Sequence, residues 1–271
     1  MTADQIAESL KLTRTTCYRY TRELSHAGLL VNNAGRFFLG PRIIELDHKI
    51  IVSDPLLNAG RPVITALANS LGATGLLTTS YDDRIINIFE YQGSSPRLAL
   101  SFGRGTMMPT FRSSSSKVIL ASLSRSRLKR LWKVHQHDRD CRAIGEEWLS
   151  FWKNLQVIKR QGYWTSSGEV DGGLAGISAP ILFASGDVAG SMSMVFALKD
   201  FRMYDTALLG ARLRGAAAQI SKALATTLPR SMIEPTRPQS TKATAPKRRA
   251  GTRAKPAAKT SRKRGAIKQA A

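Results

Sequence analysis

The stretch RTTCYRYTRELSHAGLLVNNAGRFFLG, residues 14–40, changes its hydrophobic period halfway along. In its first half Cys17, Tyr20, Leu24 and Ala27 recur three or four apart, which predicts the buried stripe of a helix ended by Gly28. The opposite face carries Arg14, Thr15, Tyr18, Arg19 and Arg22. In its second half, apolar residues flank Asn32-Asn33-Ala34-Gly35, a hairpin pattern. Upstream, TADQIAESL (residues 2–10) predicts a short helix capped by Thr2 or Asp4, with Ile6, Ala7 and Leu10 on one face, and KLT forms the turn. Helix, turn, basic-faced helix and hairpin predict a winged helix-turn-helix over residues 1–40. Arg14, Thr15, Thr16, Tyr18, Arg19 and Arg22 are then expected to face double-stranded DNA, with Arg36 on the wing touching phosphate. A three-helix version has one more helix ahead of these two, and here Met1 stands immediately before the first.

Beyond Pro41, RIIELDHKIIV predicts a linker helix over 41–54 with Ile43, Leu46 and Ile50 on one stripe, closed by Asp54-Pro55. That stripe and the two-fold symmetry of most DNA half-sites predict a homodimer or tetramer. From residue 55 to 228 the pattern is α+β. PLLNAGRPVITALANSLG is an amphipathic helix, and TGLLTTSY, RIINIFEYQ and RLALSF read as strands. SSSSKVILASLS, RLKRLWKV and EEWLSFWKNLQVIKRQG read as helices, the last with Trp148, Phe151, Trp152, Leu155 and Ile158 on its apolar stripe. YWTSSGEV, GISAPILF and AGSMSMVFA read as strands before a terminal helix with Leu209, Leu213, Ala216, Ile220 and Leu224 on one side. Helices around a mostly antiparallel sheet are expected.

Charge is uneven along the chain. Of 271 residues, 41 are Lys or Arg and 19 are Asp or Glu, a net of +22 whose default partners are nucleic acid or anionic membrane. Residues 229–271 hold 13 of those cations and one acid, Glu234, with few apolar side chains. Such a segment cannot bury enough surface to offset chain entropy, so a disordered, nucleic-acid-binding tail is expected there. No apolar run is long enough to span a membrane, no leader pattern opens the chain, and two cysteines make no disulfide framework. These features predict a reduced, cytoplasmic setting.

Candidate chemistry concentrates at Ser113–Ser116, which precede an apolar helix. Their hydroxyls and the first free N–H groups of the helix converge, a natural cradle for a carboxylate. Ser114-Ser115-Ser116-Lys117 also fits the S-x-x-K spacing of serine acyl-enzymes, but the S-D-N and K-T-G partners are absent, so no catalytic residue is expected. His135, His137, Asp138 and Cys141 share a short polar stretch, read as a loop, without metal-ligand spacing; no metal or cofactor is expected. Cys17 is expected in the core.

These segments resemble the IclR family of bacterial transcription regulators over about residues 1–228. The resemblance rests on Thr16 and Arg19 in the second helix, Gly28-Leu29, Arg36-Phe37-Phe38-Leu39-Gly40-Pro41, Ser116-Lys117 with Ile119-Leu120-Ala121, Gly162-Tyr163, Gly168-Glu169 and Ile177-Ser178-Ala179-Pro180. It implies an N-terminal winged helix-turn-helix, a dimerising linker helix and a GAF-like effector domain sensing small organic acids or aromatic compounds. It also implies a bacterial cytoplasmic protein associated with the nucleoid. Matched by position, the effector pocket would take Ser114, Ser115, Ser166, Gly176 and Ser193, with Val195 making it more apolar than in some members. The chain departs from the family in its polar Arg112–Ser116 loop, its basic tail and the absent first helix. The competing reading is a nucleic-acid architectural protein driven by the tail, without sequence specificity.

Overall fold

The computed structural model describes residues 1–81, 83–94 and 98–227, so the expected tail at 229–271 lies outside the described residues. The chain opens with α1 (Ala3–Ser9), whose start is closed by a capping box between Thr2 and Gln5. A turn leads to α2 (Arg14–His26), where the Thr13 hydroxyl accepts from the Thr16 N–H. The two helices meet through Ala3, Ala7 and Cys17, and the Cys17 thiol donates to the Ala3 carbonyl at 3.2 Å. A hairpin of β1 (Leu30–Asn33) and β2 (Arg36–Leu39) follows. Its two-residue turn places Ala34 and Gly35 at φ 48° and 78°, the left-handed pair that matches strand twist. Met1 joins this ribbon, accepting from the Phe37 N–H at 2.8 Å.

The helix α3 (Arg42–Ser53) buries none of its residues, and Ile44 is 74% exposed. It hands over directly to α4 (Pro55–Leu71), capped by the Asp54 carboxylate on the Leu57 N–H and ended by left-handed Gly72. The larger sheet contains β3 (Thr74–Tyr81), β4 (Arg84–Gln92), β5 (Met107–Met108), β6 (Trp164–Ser167), β7 (Leu174–Leu182) and β8 (Val188–Ala197). It is antiparallel throughout, in the order β5-β4-β3-β8-β7-β6.

Alternation along these strands sorts their side chains to two faces. Leu77, Ile177 and Met194 pack one face against α4 and α10 (Thr206–Thr227) through Ile64, Leu213 and Ile220. Their neighbours Leu76, Gly176, Ser178, Ser193 and Val195 turn to the other face, over which α5 (Ser114–Ser122) lies. Behind α5 stand α6 (Arg125–His135), α7 (Arg139–Ile144) and α8 (Trp148–Gln161), sharing a core of Leu128, Cys141, Phe151 and Leu155. A single turn, α9 (Leu198–Phe201), joins β8 to α10.

Four expectations from the sequence are corrected. Residues 98–102 of RLALSF form no strand; the edge partner of β4 is the two-residue β5, because Asn87 ties the 102–106 loop across that edge. The 135–141 stretch is not all loop: Asp138 caps α7 and Cys141 is drawn into the core. On α2 the buried residues are Cys17 and Thr21, while Tyr20 and Leu24 are exposed, because the contact with α1 lies on the Cys17 side and no described residue encloses the other flank. On α10 the buried stripe runs through Ala217 rather than Ala216.

Ile177 and Ile44 make a paired test of which face carries the stability. Ile177→Ala, at a fully buried site, should cost about 2–5 kcal/mol in urea unfolding. Ile44→Ala should stay within about 0.5 kcal/mol for the isolated chain; equal losses would contradict the burial described here.

Candidate functional site

Two surfaces and one connection between them define the site. The first surface is a cleft between α5 and the sheet, lined by Leu76, Phe102, Met108, Leu174 and Val195 on its apolar side. All five pocket residues expected from the resemblance, Ser114, Ser115, Ser166, Gly176 and Ser193, line it together. Gly176 gives the cleft its depth, since a Cβ there would stand 3.1 Å from the Ser114 Oγ. Three buried hydroxyls form a chain along one wall: Ser114 Oγ to Ser178 Oγ at 2.7 Å, and Ser178 Oγ to Ser193 Oγ at 2.7 Å.

The donors of Ser113–Ser116, expected to converge, go instead to separate acceptors within the chain: the Ser114 hydroxyl meets Ser178, the Ser116 hydroxyl donates to the Pro109 carbonyl, and the Ser113 hydroxyl stays within the run. Ser113 adopts φ 75°, a strained value for a residue with a side chain. Its N–H donates to Glu169 Oε2 at 2.9 Å, and the Ser114 N–H donates to Ser166 Oγ at 3.1 Å. The Lys117 ammonium grips both Glu169 oxygens, at 2.7 and 2.8 Å. Glu169 belongs to the loop between β6 and β7, and Asp171 of the same loop accepts from the Ser101 N–H and hydroxyl. Two carboxylates thus clasp the 168–173 loop over the cleft. With it closed, the cavity beneath the loop has a volume of about 30 Å³, against roughly 300–1,000 Å³ for ordinary ligand pockets.

This geometry also bears on the other sequence candidates. Lys117 is engaged by Glu169 and the Ser114 hydroxyl by Ser178, so the S-x-x-K spacing does not bring lysine and serine together. His135 packs edge-on against Phe111 with ring centroids 5.3 Å apart, and Asp138 serves as a helix cap. Among the described residues no three His, Cys, Asp or Glu side chains are placed to hold a metal ion. Burial, and then the nearby Asp138 charge, push the Cys141 thiol up to about 11.

The second surface is a groove of about 750 Å³ between α2 and the hairpin. Thr15, Tyr18, Arg19 and Arg22 face it from the helix, and Asn32 and Gly35 from the hairpin. Arg14 stands outside it, paired with Asp4 at 2.9 Å. The Thr16 hydroxyl is engaged by Thr13 at 2.9 Å, and Arg36 is exposed on β2, bridged to Thr2.

The connection was not legible beforehand. Arg104 makes two bonds to Asp47 of α3, at 3.1 and 2.6 Å, while its Nε donates to the Ile88 carbonyl at 2.9 Å. The hydrogen bond from Arg104 holds the Asp47 carboxyl below its usual range. The loop bearing Arg104 is set by buried Asn87, which donates to the Phe102 carbonyl and accepts from the Thr78 hydroxyl at 2.6 Å. Phe102 and Met108, flanking this loop, are cleft walls. Glu169, Asp171, Ser178, Asn87 and Arg104 were all missed as site residues; only Glu169 and Ser178 carried a signal, within the Gly168-Glu169 and Ile177-Ser178-Ala179-Pro180 motifs of the family resemblance.

A pattern described as bacterial transcriptional regulator IclR C-terminal matches residues 48–222. The chain is 22% identical over 195 residues to the Pca regulon regulatory protein of Pseudomonas putida, covering 72% of this chain and 67% of that one. It is 24% identical over 187 residues to the p-hydroxybenzoate hydroxylase transcriptional activator of Acinetobacter baylyi, covering 67% and 69%. An IclR-type transcriptional regulator from Alicyclobacillus acidocaldarius shares its fold with a TM-score of 0.67 at 22% identity, over 82% of this chain and 90% of that one. The chain belongs to the IclR family of bacterial transcriptional regulators.

The clasp and the buried thiol give two measurable consequences. Glu169→Gln leaves Lys117 without its counter-charge and should lower stability by about 1–3 kcal/mol, with faster amide exchange confined to 168–173. Unchanged exchange there would mean the ion pair does not hold the loop. Because the thiol is raised and enclosed, Cys141 should resist a disulfide reagent near pH 8 until the chain is unfolded. Rapid labelling of native protein at that position would show the α7–α8 core to be open.

Proposed function

We propose that this protein is a ligand-responsive DNA-binding transcription regulator that senses a small organic acid or aromatic compound. Residues 1–40 act as a winged helix-turn-helix, with α2 reading base edges in the major groove and the hairpin lying along phosphates. Residues 41–54 pair two copies through Ile43, Leu46 and Ile50, which a single chain leaves partly exposed. Residues 55–228 hold the effector.

The observation that carries this reading is the Arg104–Asp47 pair, which ties a loop beside the cleft walls to the helix leading back to α2. A ligand that spreads Phe102 and Met108 moves that loop, and the loop holds α3. The tight closure of the cleft means that binding requires the 168–173 loop to lift. A ligand carboxylate then takes the place that Glu169 holds on Lys117 and Ser113, while the apolar wall favours a ring or short alkyl body. This exchange gives the effector its differential affinity for the lifted state, as any population shift requires.

The second reading, an architectural protein, draws support from the 13 cations in residues 229–271. Selection of bound sequences from a random duplex library separates the two. A regulator should enrich an inverted repeat or paired half-sites, and Arg19→Ala should weaken that site by about 1–3 kcal/mol and relax one base position. A library that enriches nothing favours the architectural reading. For the effector, a melting screen begun with p-hydroxybenzoate and benzoate should find a stabilising compound whose effect follows mass action and disappears in Ser114→Ala/Gly176→Val. Stabilisation that survives this double change removes the cleft from the reading.

A further inference from the structure

The helix α6 carries Arg125, Arg127, Lys129, Arg130 and Lys133 and no acid. Of these, only Arg127 has an acidic partner among the described residues, Asp83 at 3.0 Å. Arg125, Lys129 and Lys133 stand at i, i+4 and i+8, a ladder along the flank of α6 that turns toward α8. There the Arg125 guanidinium lies 5.0 Å from the centre of the Trp152 ring and the Lys129 ammonium 6.0 Å from that of Trp148. Stacking on indole faces holds these long side chains in place, so little rotamer freedom remains to be lost when an anion arrives.

We infer that this ladder is a second, sequence-independent contact for the phosphate backbone of duplex DNA, separate from α2 and the hairpin. The partner follows from what the patch presents. Arg125 and Lys129 lie over one face of the Trp152 and Trp148 rings, which leaves those faces less open to a base or an apolar anchor, and the ladder's charge has no acidic partner among the described residues. A row of phosphates needs only that. For a family whose business is with DNA, such a patch retains duplex beyond the stretch that α2 reads, as wrapping or bridging requires.

The test uses the full chain on random-sequence duplexes of about 60 and 15 base pairs, titrated against salt. Arg125→Gln/Lys129→Gln/Lys133→Gln should flatten the slope of log K against log salt on the long duplex by about 0.9 per lost contact. On the short duplex, with fewer phosphates to share between two surfaces, the slope should change less. Lys129→Arg/Lys133→Arg keeps the charge and should keep both slopes, and an unchanged melting temperature certifies that the neutral variant folds. Duplex should also quench tryptophan emission in the parent chain, less so in Trp148→Phe/Trp152→Phe. An unchanged long-duplex slope overturns the inference. So does quenching by polyglutamate but not by duplex, which would assign the patch to an acidic protein. Arg19→Ala alters base preference and leaves the long-duplex increment intact, so failure of the α2 reading and failure of this one give different results.

Discussion

The ion pair between Lys117 and Glu169 joins residues 52 apart and holds the β6–β7 loop over the cleft beneath α5. Without it the Ser113 N–H would lose its acceptor and the positive end of α5 its counter-charge. With it, three things are settled together: the register of α5 over the sheet, the path of the β6–β7 loop, and the state of the cleft. The pair is mostly enclosed, its side chains 16% and 27% exposed, so solvent screens it less than a surface pair. Its geometry is bidentate at the carboxylate, and the Ser113 N–H supplies a further bond to the same group.

Built on that closure, the sheet acts as a partition. Successive residues serve opposite duties: Leu77 and Met194 stabilise the α4–α10 side, while their neighbours Leu76 and Val195 shape the cleft. The stability core and the cleft wall can therefore vary almost independently, because adjacent positions on a strand never meet. Asn87 is the exception that links regions, since its side chain is buried and bonded to the Phe102 backbone and to Thr78 at once. A polar side chain with its partners satisfied fixes a loop more sharply than apolar contact does, and this loop bears Arg104.

Much of this order was legible from period and punctuation alone. The helix at 14–26, the hairpin with its Asn-Asn-Ala-Gly turn, and the strands at 74–81 and 84–92 follow from spacing within each segment. RLALSF alternates like a strand yet forms none over the described residues 98–102, because the β4 edge is taken by the Asn87-anchored loop. The serine-rich start of α5 was visible as a run of donors, though their bonds diverge to separate acceptors. What meets them was not visible, since a charge 52 residues away leaves no local mark. Arg104 and Asp47 failed for the same reason: each reads as an ordinary surface charge until the fold brings them together. The exposed Tyr20 and Leu24 show the converse, an apolar stripe whose cover no described residue provides.

The bare helix α3 has a mechanical consequence. Twelve residues with no buried side chain form a segment shorter than isolated helices need to persist in water. Its straightness is therefore borrowed from its surroundings, from the Arg104 grip at its middle and from whatever shields Ile43, Leu46 and Ile50. Such a segment behaves as a rod when loaded and as a tether when released. The torque it can carry between the two halves of the chain is set by the number of its contacts, so a few bonds around Asp47 determine how stiffly one end of the protein feels the other.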